Sequence, residues 1–174
     1  MEFSFLYWLQ GLHQPWLDRM MVAVTSLGDA GWLWIAIGCV LFCRKKTRSC
    51  GLAVLLSLAV GFLAGNCLLK NSIARSRPCW IDPGILLLVE NPQDYSFPSG
   101  HTLAGFEAGV SILLFHRKWG MAALVLAVLI AFSRLYLFVH FPTDVLAGAI
   151  LGTGIAIGVN ALGQWVKEKF GISE

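Results

Sequence analysis

The chain has 174 residues, 57% of them hydrophobic and only 13% charged, with a formal net charge of +3. A water-soluble domain of that size has too little interior to hide so much apolar surface. The basic residues fall in clusters too short for a nucleic-acid surface, so the expected surroundings are a bilayer and no nucleic acid.

The apolar residues run in blocks of roughly 20, the length that crosses a membrane. The expected fold is therefore all-α, a polytopic transmembrane helical bundle forming one integral-membrane domain over residues 1 to 174. Residues 2 to 14, with Phe3, Phe5, Tyr7 and Trp8 beside Glu2 and Gln10, read as an interfacial helix with aromatic anchors. His13 is expected to make a polar contact at headgroup level. The N-terminus carries no secretory signal pattern, because Pro15, Asp18 and Arg19 interrupt the apolar character and no basic region precedes it.

The first span should run from about Met20 to Cys43 with a break near Gly28-Asp29-Ala30-Gly31, the second from Cys50 to Leu69, and the third from Ser99 to Phe115. The fourth runs from Trp119 to Phe138 and the fifth from Pro142 to about Trp165. There are five spans, or six if residues 2 to 27 also cross. Arg44, Lys45, Lys46 and Arg48, then Arg117 and Lys118, then Lys167 and Lys169 fall at alternate segment ends. The positive-inside rule makes those ends cytoplasmic. The ends carrying Lys70, Ser99, Arg134 and His140 then share the outer face.

Cys39, Cys43, Cys50, Cys67 and Cys79 are odd in number and lack a metal-ligand spacing, so they read as small buried hydrophobes. Between spans two and three lies one long connection, residues 70 to 98, with Pro78, Pro83, Pro92 and Pro98. A loop of that length is usually functional, and its apolar run from Ile85 to Val89 is expected to form a short lip helix on the bilayer.

Three polar clusters mark the outer face. Lys70, Arg75 and Arg77 stand at the end of span two, where the charge rule disfavours cations and a ligand should reward them. Span three opens with Pro98-Ser99-Gly100-His101. Ser99 suits an N-cap, and Gly100 lets an anion approach the N–H groups of the first turn. Span five opens at Pro142, a natural first helical residue. Asp144 then falls in the first turn, where it can accept the Nδ1–H of His140 and leave Nε2 as an outward-facing lone pair. Cations, helix N-termini, and two histidines of which one has a carboxylate behind it are what phosphoryl transfer needs.

Lys-x6-Arg-Pro at Lys70 to Pro78, Pro-Ser-Gly-His at Pro98 to His101, and Ser-Arg-x5-His-x3-Asp at Ser133 to Asp144 resemble the type 2 phosphatidic acid phosphatase family, with all three motifs complete and in order. The resemblance implies that His140 attacks phosphorus and becomes a phosphohistidine, oriented by Asp144. It implies that His101 protonates the leaving lipid oxygen and then activates water. Lys70, Arg77, Ser99, Gly100 and Arg134 would hold the phosphate, with no metal and no cofactor. Arg75 sits at a variable position of the first motif and is left outside this set.

The expected activity is hydrolysis of a lipid phosphate or diphosphate at the outer face of the plasma membrane. Undecaprenyl diphosphate is the first substrate, with phosphatidic acid and phosphatidylglycerol phosphate as alternatives. A non-catalytic lipid-phosphate binding or translocating protein would need the cations but not His101, His140 and Asp144 in place. A vanadate-using haloperoxidase shares the motifs, but a short membrane chain suits it poorly. Glu107, deep in span three, reads as a structural group beneath the pocket, protonated or hydrogen-bonded. Asn66, one turn before Lys70, is expected to steady that lysine.

Overall fold

A computed structural model describes residues 1–171, and no strand occurs among them. Helix α1 (Glu2–Gln10) precedes α2 (Pro15–Ser26), which starts on a proline as helix N-termini favour. A break follows, in which Ala30 and Gly31 take left-handed φ of 49° and 68°. Helix α3 (Trp32–Cys43) then continues at an angle of 42° to α2. Helix α4 (Arg48–Gly61) passes directly into a π-helical stretch, Phe62–Leu69, and on into α5 (Lys70–Ile73). Wide turns of this kind re-aim side chains and are frequent at functional sites; here Lys70 is turned into the protein and is buried.

A short α6 (Pro78–Ile81) and an irregular segment to Ser99 lead into α7 (Gly100–Phe115), followed by α8 (Arg117–Tyr136) and α9 (Pro142–Phe170). Helix α7 is the hub, packed against α4, α8 and α9. Its 16 residues extend only about 24 Å, less than the roughly 30 Å hydrocarbon layer. Because other helices enclose it, it has little lipid contact to match. Helices α7 and α9 approach closely: a Cβ on Gly148 would stand 2.8 Å from the Ser99 carbonyl oxygen, and one on Gly152 2.6 Å from that of Leu103. Small residues at helix crossings allow this backbone approach in membranes.

The chain is a helical membrane protein. Among the described residues, the Lys45–Ile81 stretch, α8 and α9 are each long and apolar enough to cross a bilayer, and α2 with α3 makes a fourth if the bent pair crosses as one.

Two local expectations fail. The run from Ile85 to Val89 is irregular and not a lip helix. Ile85, Leu87, Leu88 and Val89 lie against the buried cluster around Tyr136 to Phe141, while Leu86 points away. Contact of four of these five side chains with one surface suits a strap of irregular chain laid over it. Of the cysteines, only Cys50 and Cys79 are buried; Cys39, Cys43 and Cys67 lie on exposed helix faces. In an apolar solvent a thiol has no need of an interior.

Helix α1 lies across the turn between α8 and α9. Leu6 and Leu9 are fully buried there, and the Phe3 ring meets the Phe141 ring edge-on at 5.3 Å. His13 does more than touch headgroups: it stacks on Tyr136 at 4.3 Å, and its Nε2 lies 3.2 Å from the Tyr136 carbonyl oxygen.

Candidate active site

After Tyr136 the chain turns through Leu137 to Phe141 before Pro142 starts α9. Phe138 takes a left-handed φ of 59°, costly for a bulky side chain. Its ring is fully buried against Phe3 and Tyr7, so packing holds the turn. The turn sends His140 inward, where it is almost completely buried.

Asp144 is fully buried at the third position of α9. Its Oδ2 accepts the Phe141 N–H at 2.9 Å and the Ser96 hydroxyl at 2.5 Å, and its Oδ1 accepts Arg75 Nη1 at 2.5 Å. The expected direct hydrogen bond to His140 is not made. Nδ1 stands 3.6 Å from Oδ2, too far, because other donors already fill the carboxylate. Ser96 Oγ, 3.3 Å from Nδ1, bridges the two.

The opposite nitrogen is also engaged, instead of standing free. Arg77 Nη1 donates to the Val139 carbonyl at 2.8 Å and lies 3.1 Å from His140 Nε2. A guanidinium has donors only, so Nε2 accepts and the ring proton sits on Nδ1, facing Ser96 and Asp144. Burial, and then the positive charges of Arg77, Arg134 and Lys70, hold the imidazole well below its ordinary pKa. It is a neutral ring with the basic nitrogen toward the cations.

The rest of Arg77 is clamped by a residue that sequence reasoning missed. Its Nε donates to the Asp94 carbonyl at 2.6 Å and its Nη2 to Asp94 Oδ1 at 2.7 Å, while Lys70 Nζ pairs with Asp94 Oδ2. Burial alone would raise the Asp94 pKa, but the two cations outweigh it and bring it down to about 2. Asn66, expected to steady Lys70, instead packs its carboxamide beside Gly100, with Oδ1 buried and unpartnered. Arg134 donates through Nη1 to Thr25 at 2.7 Å, and its buried Nε has no partner among the described residues.

Ser99 is placed as the N-cap of α7 but makes no capping hydrogen bond. Its hydroxyl accepts from Thr102 at 3.0 Å, and its N–H donates to the Asp144 carbonyl at 3.1 Å, tying the starts of α7 and α9 together. His101 lies with Nε2 2.9 Å from Asp29 Oδ1, a carboxylate supplied by the break between α2 and α3.

Arg75, left outside the sequence-based set, is central to the support. It binds Asp144, Thr143 at 2.7 Å and Glu2 at 2.7 Å, and stacks 4.2 Å over the Phe141 ring. Glu2 in turn accepts the backbone N–H and hydroxyl of Thr143, capping α9 from the N-terminal helix. Asp29, Asp94 and Ser96 lie in connections whose folding no local pattern encodes; for Asp94 and Ser96 the one cue was position just before Pro98-Ser99-Gly100-His101.

Lys70, Arg77, Gly100, His101, Arg134 and His140 line one cavity of about 1050 Å³. From this polar end the cavity continues past Leu55, Leu58 and Phe62 of the α4 stretch and Ile35 of α3. Three cations beside a basic imidazole nitrogen, with a second histidine in the same wall, make a site for a phosphate on an apolar tail.

The PAP2 superfamily matches the chain over residues 49–168. An undecaprenyl-diphosphatase of Sulfolobus acidocaldarius is 35% identical over 141 residues, 80% of this chain and 68% of that protein. Phosphatidylglycerophosphatase B of Bacillus subtilis is 34% identical over 170 residues, 90% of this chain and 80% of its own length. The crystal structure of a transmembrane PAP2-type phosphatidylglycerolphosphate phosphatase from Bacillus subtilis superposes with a TM-score of 0.78 at 33% identity, covering 94% of this chain and 85% of that one.

Proposed function

The chain belongs to the PAP2 superfamily, and we propose that it is a membrane lipid phosphatase working through a phosphohistidine at His140. The observation that carries this reading is the His140 ring: its tautomer leaves Nε2 basic, and the residue lines a cavity together with Lys70, Arg77 and Arg134.

Phosphate oxygens entering the cation cluster take over the Arg77 Nη1 donor and release the Nε2 lone pair. Nε2 attacks phosphorus, the N–P bond forms as the P–O bond to the lipid breaks, and His101, protonated beside the bound phosphate dianion, gives a ring proton to the departing oxygen. His101, now neutral, takes a proton from water as the water oxygen attacks phosphorus. The N–P bond then breaks, phosphate leaves, and both histidines return to their starting states. Asp144, through Ser96 and the Nδ1 proton, stabilises the positive ring in the intermediate. Lys70, Arg77, Arg134, Ser99 and the Gly100 N–H hold the equatorial oxygens.

The charge bias of the connections supports an active site at the outer face of the plasma membrane. Undecaprenyl diphosphate and phosphatidylglycerol phosphate are the substrates that the names of the relatives suggest. The chemistry at phosphorus is common to both.

The test is phosphate release by detergent-purified protein with EDTA present, on both lipids, beside His140→Ala. Release that survives EDTA, disappears in the variant and proceeds through an acid-labile phosphoenzyme supports the reading. Lipid binding without release from any substrate would favour a non-catalytic phospholipid-binding protein.

A further inference from the structure

Below the phosphate end of the cavity lies a carboxyl that the chemistry at phosphorus does not use. Glu107 is 1% exposed, lines the same cavity, and its Oε1 has no hydrogen-bond partner among the described residues. Room for it is made by Gly61, where a Cβ would overlap the carboxyl. Six residues separate it from His101 on one helix, which sets it about 9 Å deeper. Asn66, whose buried Oδ1 has no partner among the described residues, lies higher, beside Gly100 at the phosphate end.

Buried polar atoms are nearly always paired, and each exception asks for a ligand or another role. No charged group among the described residues neighbours Glu107, so an ionised carboxylate there would be uncompensated; the neutral acid, with one O–H donor, is the form this place accepts. The lipid reaching this depth has its phosphate above and its tail below. In phosphatidic acid the ester carbonyls and glycerol oxygens lie one glycerol unit beyond the phosphate and can take that O–H. In a polyprenyl diphosphate the second phosphate is next to the first, and only hydrocarbon reaches further down.

We infer that Glu107, seated on Gly61, is a hydrogen-bonding subsite for the glycerol ester linkage of a diacylglycerol phosphate, and that it directs the enzyme to that lipid over polyprenyl ones. This rests on the reading of the chain as a lipid phosphatase.

The experiment is kcat/KM for phosphatidic acid and for undecaprenyl diphosphate in mixed micelles, for wild type, Glu107→Gln and Glu107→Leu. The expected result is a loss of roughly 10- to 100-fold on the glycerolipid in Glu107→Leu, the size of one unmade buried hydrogen bond, with less than about threefold change on the polyprenyl lipid. Glu107→Gln, which keeps a donor, retains most of the glycerolipid rate. Equal loss on both lipids, or no loss on the glycerolipid, overturns the inference. Should Glu107→Leu not fold, Glu107→Gln beside Gly61→Ala decides: selective loss in Gly61→Ala alone supports the subsite, and equal behaviour of the pair overturns it. Failure of the wild type to release phosphate from either lipid overturns the phosphatase reading itself.

Discussion

Arg77 Nη1 and His140 Nε2 lie 3.1 Å apart, so the nitrogen proposed to attack phosphorus is hydrogen-bonded to a cation proposed to hold the phosphate. The same guanidinium nitrogen donates to the Val139 carbonyl, and Nε and Nη2 are fixed on Asp94. A planar fork with every donor assigned cannot be replaced by a point charge. Arg77→Lys is therefore expected to lower kcat by about 100- to 1000-fold, the usual effect of losing one preorganised transition-state donor, with a smaller change in KM. Steady-state kinetics on a lipid phosphate check this; a variant altered only in KM would show Arg77 to be a binding group alone.

Arg75 joins the N-terminal helix to the proposed catalytic carboxylate through Glu2 on one side and Asp144 on the other. Arg75→Ala leaves a fully buried carboxylate short of its charged partner, and removing one member of such a pair is the costly change. The expected outcome is a fall in the rate of phosphoenzyme formation of about tenfold or more, with partial recovery in Arg75→Lys. Glu2→Gln keeps an acceptor for Thr143 but loses the charge, and should cost only about 1 kcal/mol of stability. Rapid-quench measurement of the phosphoenzyme, beside thermal melting, separates the two effects.

The apolar blocks and helix-start signals made the all-helical fold legible, because in a bilayer a spanning segment has to be long, apolar and helical. Motif spacing marked Lys70, Arg77, His101, Arg134 and His140, which meet at one cavity. What sequence reasoning could not reach were the supports: Asp29, Asp94 and Ser96 come from breaks and loops, and nothing local says that a loop folds back onto a given histidine. Arg75 was passed over because its partners, Glu2 and Asp144, lie 73 and 69 residues away. The strap at residues 85 to 89 was misread as a helix because a short apolar run fits helix and extended chain equally well.

The His140 environment also sets a pH window. Its folded-state pKa is lowered by burial and by Arg77, Arg134 and Lys70, so the neutral, attacking form persists well below the ordinary value of about 6.5. The acid limb of kcat/KM should therefore fall below pH 6.5. Stability follows the same sign: between about 6.5 and the lowered value the unfolded chain binds a proton that the folded one refuses, so the fold loses stability as pH falls through that range. A pH profile of kcat/KM with melting temperatures at each pH tests both, and an acid limb at or above pH 6.5 would contradict the assignment of the nucleophile.

Gly148 links packing to the site. A Cβ there would stand 2.8 Å from the Ser99 carbonyl oxygen and 3.2 Å from the Thr102 Cβ, at the start of α7. Neither contact can yield by rotating a flexible side chain, so α9 would have to move away from α7. That motion strains the hydrogen bond from the Ser99 N–H to the Asp144 carbonyl, and with it the relation between the phosphate cradle and the His140 support. Gly148→Ala is expected to destabilise the protein by about 1–3 kcal/mol, as overpacking does, and to reduce kcat by more than the fall in folded fraction explains. Gly154, three helical turns from the Asp144 end and with nothing near its would-be Cβ, is the control: Gly154→Ala should leave activity unchanged, and equal loss in the two variants would remove the close α7 to α9 crossing from the account of the site.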